Sequence, residues 1–196
     1  MNKVKVLVEG YAKINSDGTW DATSSVTFIN SGKLKIIVDP GCNRDLLLKA
    51  LKENKFTTSD INYVFLTHYH MDHCLLAGVF ENATVFDGVQ WQKGPVGGDL
   101  KDNLLPKTDI EIVKTPGHVD EHSSLLVKTD KGKILVGADV FWWKENEKQI
   151  VNVDKKDEFA NDMILLRESR TLALQMADYI IPGHGKMFKV DKQIFK

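Results

Sequence analysis

The chain has 196 residues, 42% of them hydrophobic, with 26 Lys and Arg against 27 Asp and Glu for a formal net charge of −1. That is an ordinary soluble composition, long enough to bury a substantial core, and it carries no basic excess of the kind that marks a nucleic-acid binder. Two cysteines make no disulfide framework and no apolar run is long enough to cross a membrane, so a cytoplasmic protein with no membrane partner is expected.

Residues 3–10 alternate as a strand, and 11–22, with Ser16-Asp17-Gly18, read as a turn or hairpin tip. Strands at 23–30 and 33–39 are joined by Asn30-Ser31-Gly32. Pro40 and Gly41 stop the second and leave Asp39 at its end. Asn43 is placed to cap a helix over 44–54 that turns Leu47, Leu48 and Leu51 inward. The apolar run 61–67 is a buried strand, followed by a short helix at 73–80 and a strand at 83–87. Residues 88–108, rich in Gly and Pro, read as a long functional loop. A strand at 110–114 precedes a hairpin of 123–129 with 133–138 across Asp130-Lys131-Gly132. The charged connection 144–158 reads as a solvated face, and 157–177 as an amphipathic helix with Phe159, Met163, Leu166, Ala173 and Ala177 on one side. Tyr179-Ile180-Ile181 is a last short strand. No repeat or linker interrupts the chain, so one domain over 1–196 is expected: two packed sheets with helices outside.

The densest chemistry lies at Thr67-His68-Tyr69-His70-Met71-Asp72-His73, where a strand hands over to a helix. In extended chain, residues two apart point the same way, so His68, His70 and Asp72 converge. A turn into helix at Asp72 brings His73 to the same side. Imidazole and carboxylate are ligands for zinc, iron or manganese. A solvated loop that happens to hold histidines is the plain alternative, but three of the six histidines fall in this window. Asp39, His118, Asp139 and His184 also sit at strand ends beside Gly or Pro. Each alone would be an ordinary turn residue; together with the window they supply enough ligands for two metals.

His68-x-His70-x-Asp72-His73, Thr115-Pro116-Gly117-His118, Gly137-Ala138-Asp139 and Pro182-Gly183-His184-Gly185, with Val38-Asp39-Pro40-Gly41 ahead of them, resemble the metallo-β-lactamase-fold superfamily in motif and in order. The resemblance implies an α/β (α+β) fold, a four-layer αβ/βα sandwich with metals in a cleft at the edges of two sheets. It places His68, His70 and His118 on one metal, and Asp72, His73 and His184 on the other. Asp139 bridges, and Asp39 orients a ligand from behind. His122 falls where hydrolase relatives often carry Ser or His, lining the pocket or supporting a ligand. Cys74 reads as a small buried hydrophobe.

Departures from the family's pattern narrow the branch. Asp139 stands where true β-lactamases usually carry Cys, and His73 where they usually carry Arg. No counterpart of the helical region that follows the last ligand in glyoxalase II is expected. What remains resembles a compact single-domain branch regarded as ribonuclease-type hydrolases. The implied activity is a dinuclear hydrolase, two divalent ions (zinc first, iron or manganese otherwise) sharing a bridging hydroxide to cleave an ester, thioester, lactone or phosphodiester. Asp72 is the residue expected to handle its proton. A small-molecule substrate is expected, nucleic acid having no support from charge, and the oligomeric state is left open. Residues 11–22, 88–108 and 141–146 would wall the pocket, with Trp20, Trp91, Phe141, Trp142 and Trp143 as candidate contacts and Lys93 and Lys101 for an anionic group. A mononuclear iron persulfide dioxygenase shares these motifs and is the alternative.

Overall fold

In the computed structural model, which describes residues 1–192, the alternation of apolar side chains builds three hydrophobic slabs between four layers. The first half of the chain gives β1 (Lys3–Val8), β2 (Tyr11–Ile14), β3 (Trp20–Thr23), β4 (Val26–Ser31), β5 (Leu34–Val38), α1 (Arg44–Glu53), β6 (Tyr63–Phe65), α2 (Met71–Cys74) and β7 (Thr84–Phe86). Then follow β8 (Gln90–Lys93), β9 (Val96–Asp99), β10 (Glu111–Lys114), β11 (Ser123–Thr129), β12 (Gly132–Ala138), α3 (Met163–Met176), β13 (Tyr179–Pro182) and β14 (Phe188–Lys189). One sheet runs β1-β4-β5-β6-β7-β8-β9, the other β10-β11-β12-β13-β14, and β2-β3 form a separate ribbon.

Successive residues of a strand face opposite sides, and the core shows it directly. Ile36, Val38 and Phe65 of the first sheet meet Leu125, Val127, Ile134, Val136 and Ile181 of the second between the sheets. Their neighbours point outward: Ile37 and Val64 pack against Leu47 and Leu51 of α1, and Leu126, Leu135 and Ile180 against Ala173 and Leu174 of α3. Strands covered on both faces read as unbroken apolar runs, which is why Ile36-Ile37-Val38 shows no polar alternation. The expected four-layer sandwich is therefore observed. Asn43 caps α1 as expected, accepting from Leu46 N at 3.2 Å.

Three local readings need correction. Residues 88–108 are not one loop. β8 and β9 pair antiparallel and extend the first sheet, a hairpin whose strands are mostly exposed and so lack an apolar stripe. The helix expected at 73–80 starts earlier, at Met71, and breaks after Cys74 into a 3-10 turn at Ala77–Val79. The helix expected from 157 starts at Met163, because Asp162 caps it with its carboxylate on the Ile164 and Leu165 amides. Phe159 consequently lies outside the helix and is exposed.

The topology gathers the strand ends. β5, β6 and β7 are mutually parallel, so Asp39 and His68 leave the first sheet at the same edge. β12 and β13 are parallel too, which brings Asp139 and His184 to the same edge of the second sheet. Asp39 (φ 48) and Ala138 (φ 41) take the left-handed conformation there, a strained choice for non-glycine residues that turns the chain sharply out of each strand.

Candidate metal centre

The window after β6 is fixed from behind by Asp39. Its Oδ1 accepts from Thr67 N at 2.9 Å and its Oδ2 from Thr67 Oγ1 at 2.7 Å. The same Oδ2 lies 2.9 Å from His73 Nδ1. His70 is the residue before α2 in extended conformation, and the first helical turn, closed by His73 N to His70 O at 2.9 Å, swings Asp72 and His73 inward. His118 follows β10 on a turn at Gly117 (φ 126), where a Cβ would lie 2.1 Å from Leu166 N, so no side chain fits. Gly183 allows the closest approach of all: a Cβ there would lie 1.7 Å from Asp139 Oδ1.

All seven expected ligands converge, in two groups. His68, His70, His118 and Asp139 form one, and Asp72, His73 and His184 the other. Asp139 lies between them. Its Oδ2 is 3.2 Å from His118 Nε2 and 3.9 Å from His68 Nε2. Its Oδ1 is 3.4 Å from His73 Nε2 and 3.7 Å from His184 Nε2. Asp72 Oδ2 closes the second group at 3.2 Å from His184 Nε2. Asp39, His68 and His73 also lie close enough together to resemble a site. Both Asp39 oxygens already accept from Thr67 or face His73 Nδ1, so Asp39 orients ligands rather than adding a group.

A cation fits this donor set. His68 Nε2, His73 Nε2 and Asp139 Oδ1 are buried with no hydrogen-bond partner. Buried polar atoms are normally satisfied, and a cation is what would satisfy these crowded ones together. His118 Nε2 and His70 Nδ1 lie 3.0 Å apart, within the cluster of candidate ligand atoms. Electrostatics fit Asp139, His68 and Asp72 for that role, whereas at His73 and His118 burial is outweighed by Asp139 and other carboxylates, which raise both. Burial raises the Asp139 pKa, but His73, His184 and His118 outweigh it and hold the carboxyl well below its usual range. Burial, aided by His73, pushes His68 well below the usual histidine range, leaving it neutral. Asp72 stays ionised: burial would raise it, and the hydrogen bond from His184 together with the charge of His73 more than offsets that.

Around the ligands the structure adds residues that the sequence did not reveal. Asp157 Oδ2 lies 2.9 Å from His118 Nδ1, and Asp157 is buried, in the segment read above as a solvated face. His184 Nδ1 is anchored by the carbonyls of Tyr11 and Thr23, at 2.9 and 3.1 Å, so the β2-β3 ribbon borders the centre. Glu145 N donates to Ala12 O, joining the ribbon to residues 141–146. The Tyr69 hydroxyl donates to Asp87, latching the ligand loop to the end of β7. Asp157 had no signal, lying in Lys155-Lys156-Asp157-Glu158. The role of Thr67 was within reach, since it abuts His68.

His122 is fully buried, its ring centroid 5.1 Å from that of His68, and it belongs to neither ligand group. Its Nδ1 meets Thr115 Oγ1 at 2.8 Å, and burial lowers its pKa to about 3, so it is a neutral support. Cys74 is half-buried rather than fully buried, packed on the core beneath α1 with its thiol on the Tyr69 carbonyl. Of the aromatic candidates, Phe141, Trp142 and Trp143 are buried packing residues, Trp91 is half-buried against the inter-sheet core, and Trp20 is 73% exposed. Lys93 and Lys101 are exposed.

The family model for the metallo-beta-lactamase superfamily matches residues 19–89. Metallo-beta-lactamase domain-containing protein 1 of Xenopus laevis is 34% identical over 200 residues, covering 97% of this chain and 83% of that protein. The chain belongs to the metallo-beta-lactamase superfamily. An N-acyl homoserine lactonase of a Bacillus species is 26% identical over 149 residues, 68% of this chain and 56% of that protein. The fold of the superfamily is matched by the crystal structure of a Thermotoga maritima protein assigned to the metallo-beta-lactamases. It superposes with a TM-score of 0.71 at 20% identity, over 96% of this chain and 99% of that one. With this membership, the His and Asp cluster marks the chain as a hydrolase-like, metal-binding superfamily member. Among the described residues no helix is long and apolar enough to cross a membrane.

Proposed function

We propose that the chain is a hydrolase that holds two divalent metal ions, zinc in the first place, and cleaves an ester, thioester, lactone or phosphodiester bond in a small molecule. The observation that carries this reading is Asp139, whose two oxygens face two different ligand groups, each with histidines of its own. His68, His70 and His118 would hold one ion, Asp72, His73 and His184 the other, with Asp139 between them. When bound, such ions polarise the attacked carbonyl or phosphoryl group and make water acidic enough to act as nucleophile near neutral pH.

The chain's own part is to place and to move a proton. Asp39 and Asp157 hold His73 and His118 by their outer nitrogens, keeping the inner ones free. Asp139 is almost fully enclosed, whereas the Asp72 side chain is 25% exposed and only its Oδ2 is engaged with His184. Asp72 is therefore the carboxylate that solvent and substrate reach, and it takes the proton released as water attacks. The similarity to an N-acyl homoserine lactonase supports the acyl branch of the substrate range, and the balanced charge gives a polyanion no broad basic surface.

Elemental analysis of protein purified without chelator, followed by a lactone, thioester and phosphodiester panel, tests the reading. Two equivalents of metal with hydrolysis of one class support it. One equivalent of iron with oxygen uptake on a persulfide replaces it with dioxygenase chemistry. Asp72→Ala should abolish turnover; near wild-type turnover with full metal content would remove Asp72 from its role.

A further inference from the structure

The connection between β12 and α3 is charged, carries no regular structure and reads as a solvated strap, yet it delivers a buried carboxylate to one metal ligand. Asp157 is 4% exposed. Its Oδ2 meets His118 Nδ1 at 2.9 Å and its Oδ1 accepts from Phe159 N at 2.9 Å. Both oxygens are thus committed, one to the ligand and one to the strap.

What holds the strap is Arg170, in the middle of α3 and 1% exposed. No carboxylate lies within ion-pair distance of it among the described residues. Its Nε donates to Val140 O at 2.9 Å, and its Nη1 donates to Val153 O at 3.1 Å and to Lys155 O. A buried guanidinium is costly unless its donors are used. Here they are spent on carbonyls at the start and in the middle of the strap, the last of them two residues before Asp157. The strap's far end is stitched to the ligand loop as well, by Asn161 N to His118 O at 3.0 Å and Asp162 N to Gly117 O at 2.9 Å.

We propose that Asp157 is a positioning residue for His118, that Arg170 sets it through the strap, and that the pair tunes metal affinity at the His68-His70-His118 group alone. The proposal rests on the two-metal reading above. Asp157 accepts the Nδ1 proton of His118, which leaves Nε2 with its lone pair toward Asp139 and fixes the ring's tilt. Neither residue contacts Asp72, His73 or His184, so the second group keeps its affinity when either is changed.

Zinc titration of the metal-free full chain against a chromophoric competitor tests this, with thermal unfolding of the metal-free protein alongside. Wild type should show two equivalents. Asp157→Asn should weaken one equivalent by roughly 10–100-fold, the range for losing a carboxylate behind a ligand histidine, with the other unchanged. Arg170→Met should weaken the same equivalent, and the double variant should lose less than the sum of the two, as expected for residues acting in series. Asp157→Glu should recover part of the loss. Two wild-type affinities in Asp157→Asn overturn the proposal alone, and so does an equal loss at both equivalents with a lowered melting temperature, which marks a structural role. A single equivalent in wild type overturns the two-metal reading and, with it, the selectivity claimed here.

Discussion

His73 and His118 face Asp139 from opposite sides, and each turns its outer nitrogen to a buried carboxylate at 2.9 Å. The two carboxylates are built differently. Asp39 stands at the end of β5, locked by Thr67 on the neighbouring parallel strand's exit, so a few residues of adjacent sheet determine it. Asp157 stands in irregular chain, and its place depends on an arginine thirteen residues further on in α3. One side of the centre is therefore a property of sheet geometry, and the other of how a helix packs on a strap. The first kind of support survives damage elsewhere in the molecule. The second is exposed to any change in the seating of α3.

Several substitutions would break or sharpen that contrast. Asp139→Ala removes the carboxylate that both sides share, and should weaken both zinc equivalents by more than the roughly 100-fold ceiling of an outer carboxylate, as read by competitive titration. Selective loss of one equivalent would mean that Asp139 serves only one side. Gly117→Ala forces a side chain onto Leu166 N at a left-handed φ, and should push α3 away from the His118 turn. The expected destabilisation is on the order of 3 kcal/mol in denaturant unfolding, with the His118 equivalent weakened and the His73 side spared. Arg170→Met leaves the carbonyls of Val140, Val153 and Lys155 without their donor and should cost about 1–3 kcal/mol on the same scale. Asn43→Ala removes the cap of α1, behind the Asp39 side, and should cost about 1 kcal/mol with neither metal affinity altered. A shift in metal binding there would show that the sheet side is less self-contained than its hydrogen bonds imply.

These contrasts also separate what could be read in the sequence from what could not. The layers were legible because apolar alternation and the β-turn residues between strands are local signals. Asp39, standing between Val38 and Pro40-Gly41, announced itself as a strand-end residue by the same logic. The seven candidate ligands were legible because four crowd one short window and the other three, His118, Asp139 and His184, sit at strand ends in motifs that contain Gly. The β8-β9 hairpin was missed because it extends a sheet edge with exposed residues and two glycines, leaving no apolar pattern to read. The late start of α3 was missed because Phe159 and Met163 mimic helical spacing, while the decisive signal is the Asp162 cap. Asp157 was invisible for a deeper reason: it is buried by partners far along the chain, and its neighbours Lys155, Lys156 and Glu158 describe a solvated surface.

The parallel pairing of β12 with β13 has a consequence in time as well as in space. A chain is synthesised from its N-terminus, and the His68–His73 window emerges long before α3 and β13. Until β13 pairs with β12, His184 is absent and the Asp72-His73-His184 group lacks one of its three members, whereas His68, His70, His118 and Asp139 all lie earlier in the chain. On the two-metal reading, only the second group is completed by this last crossover.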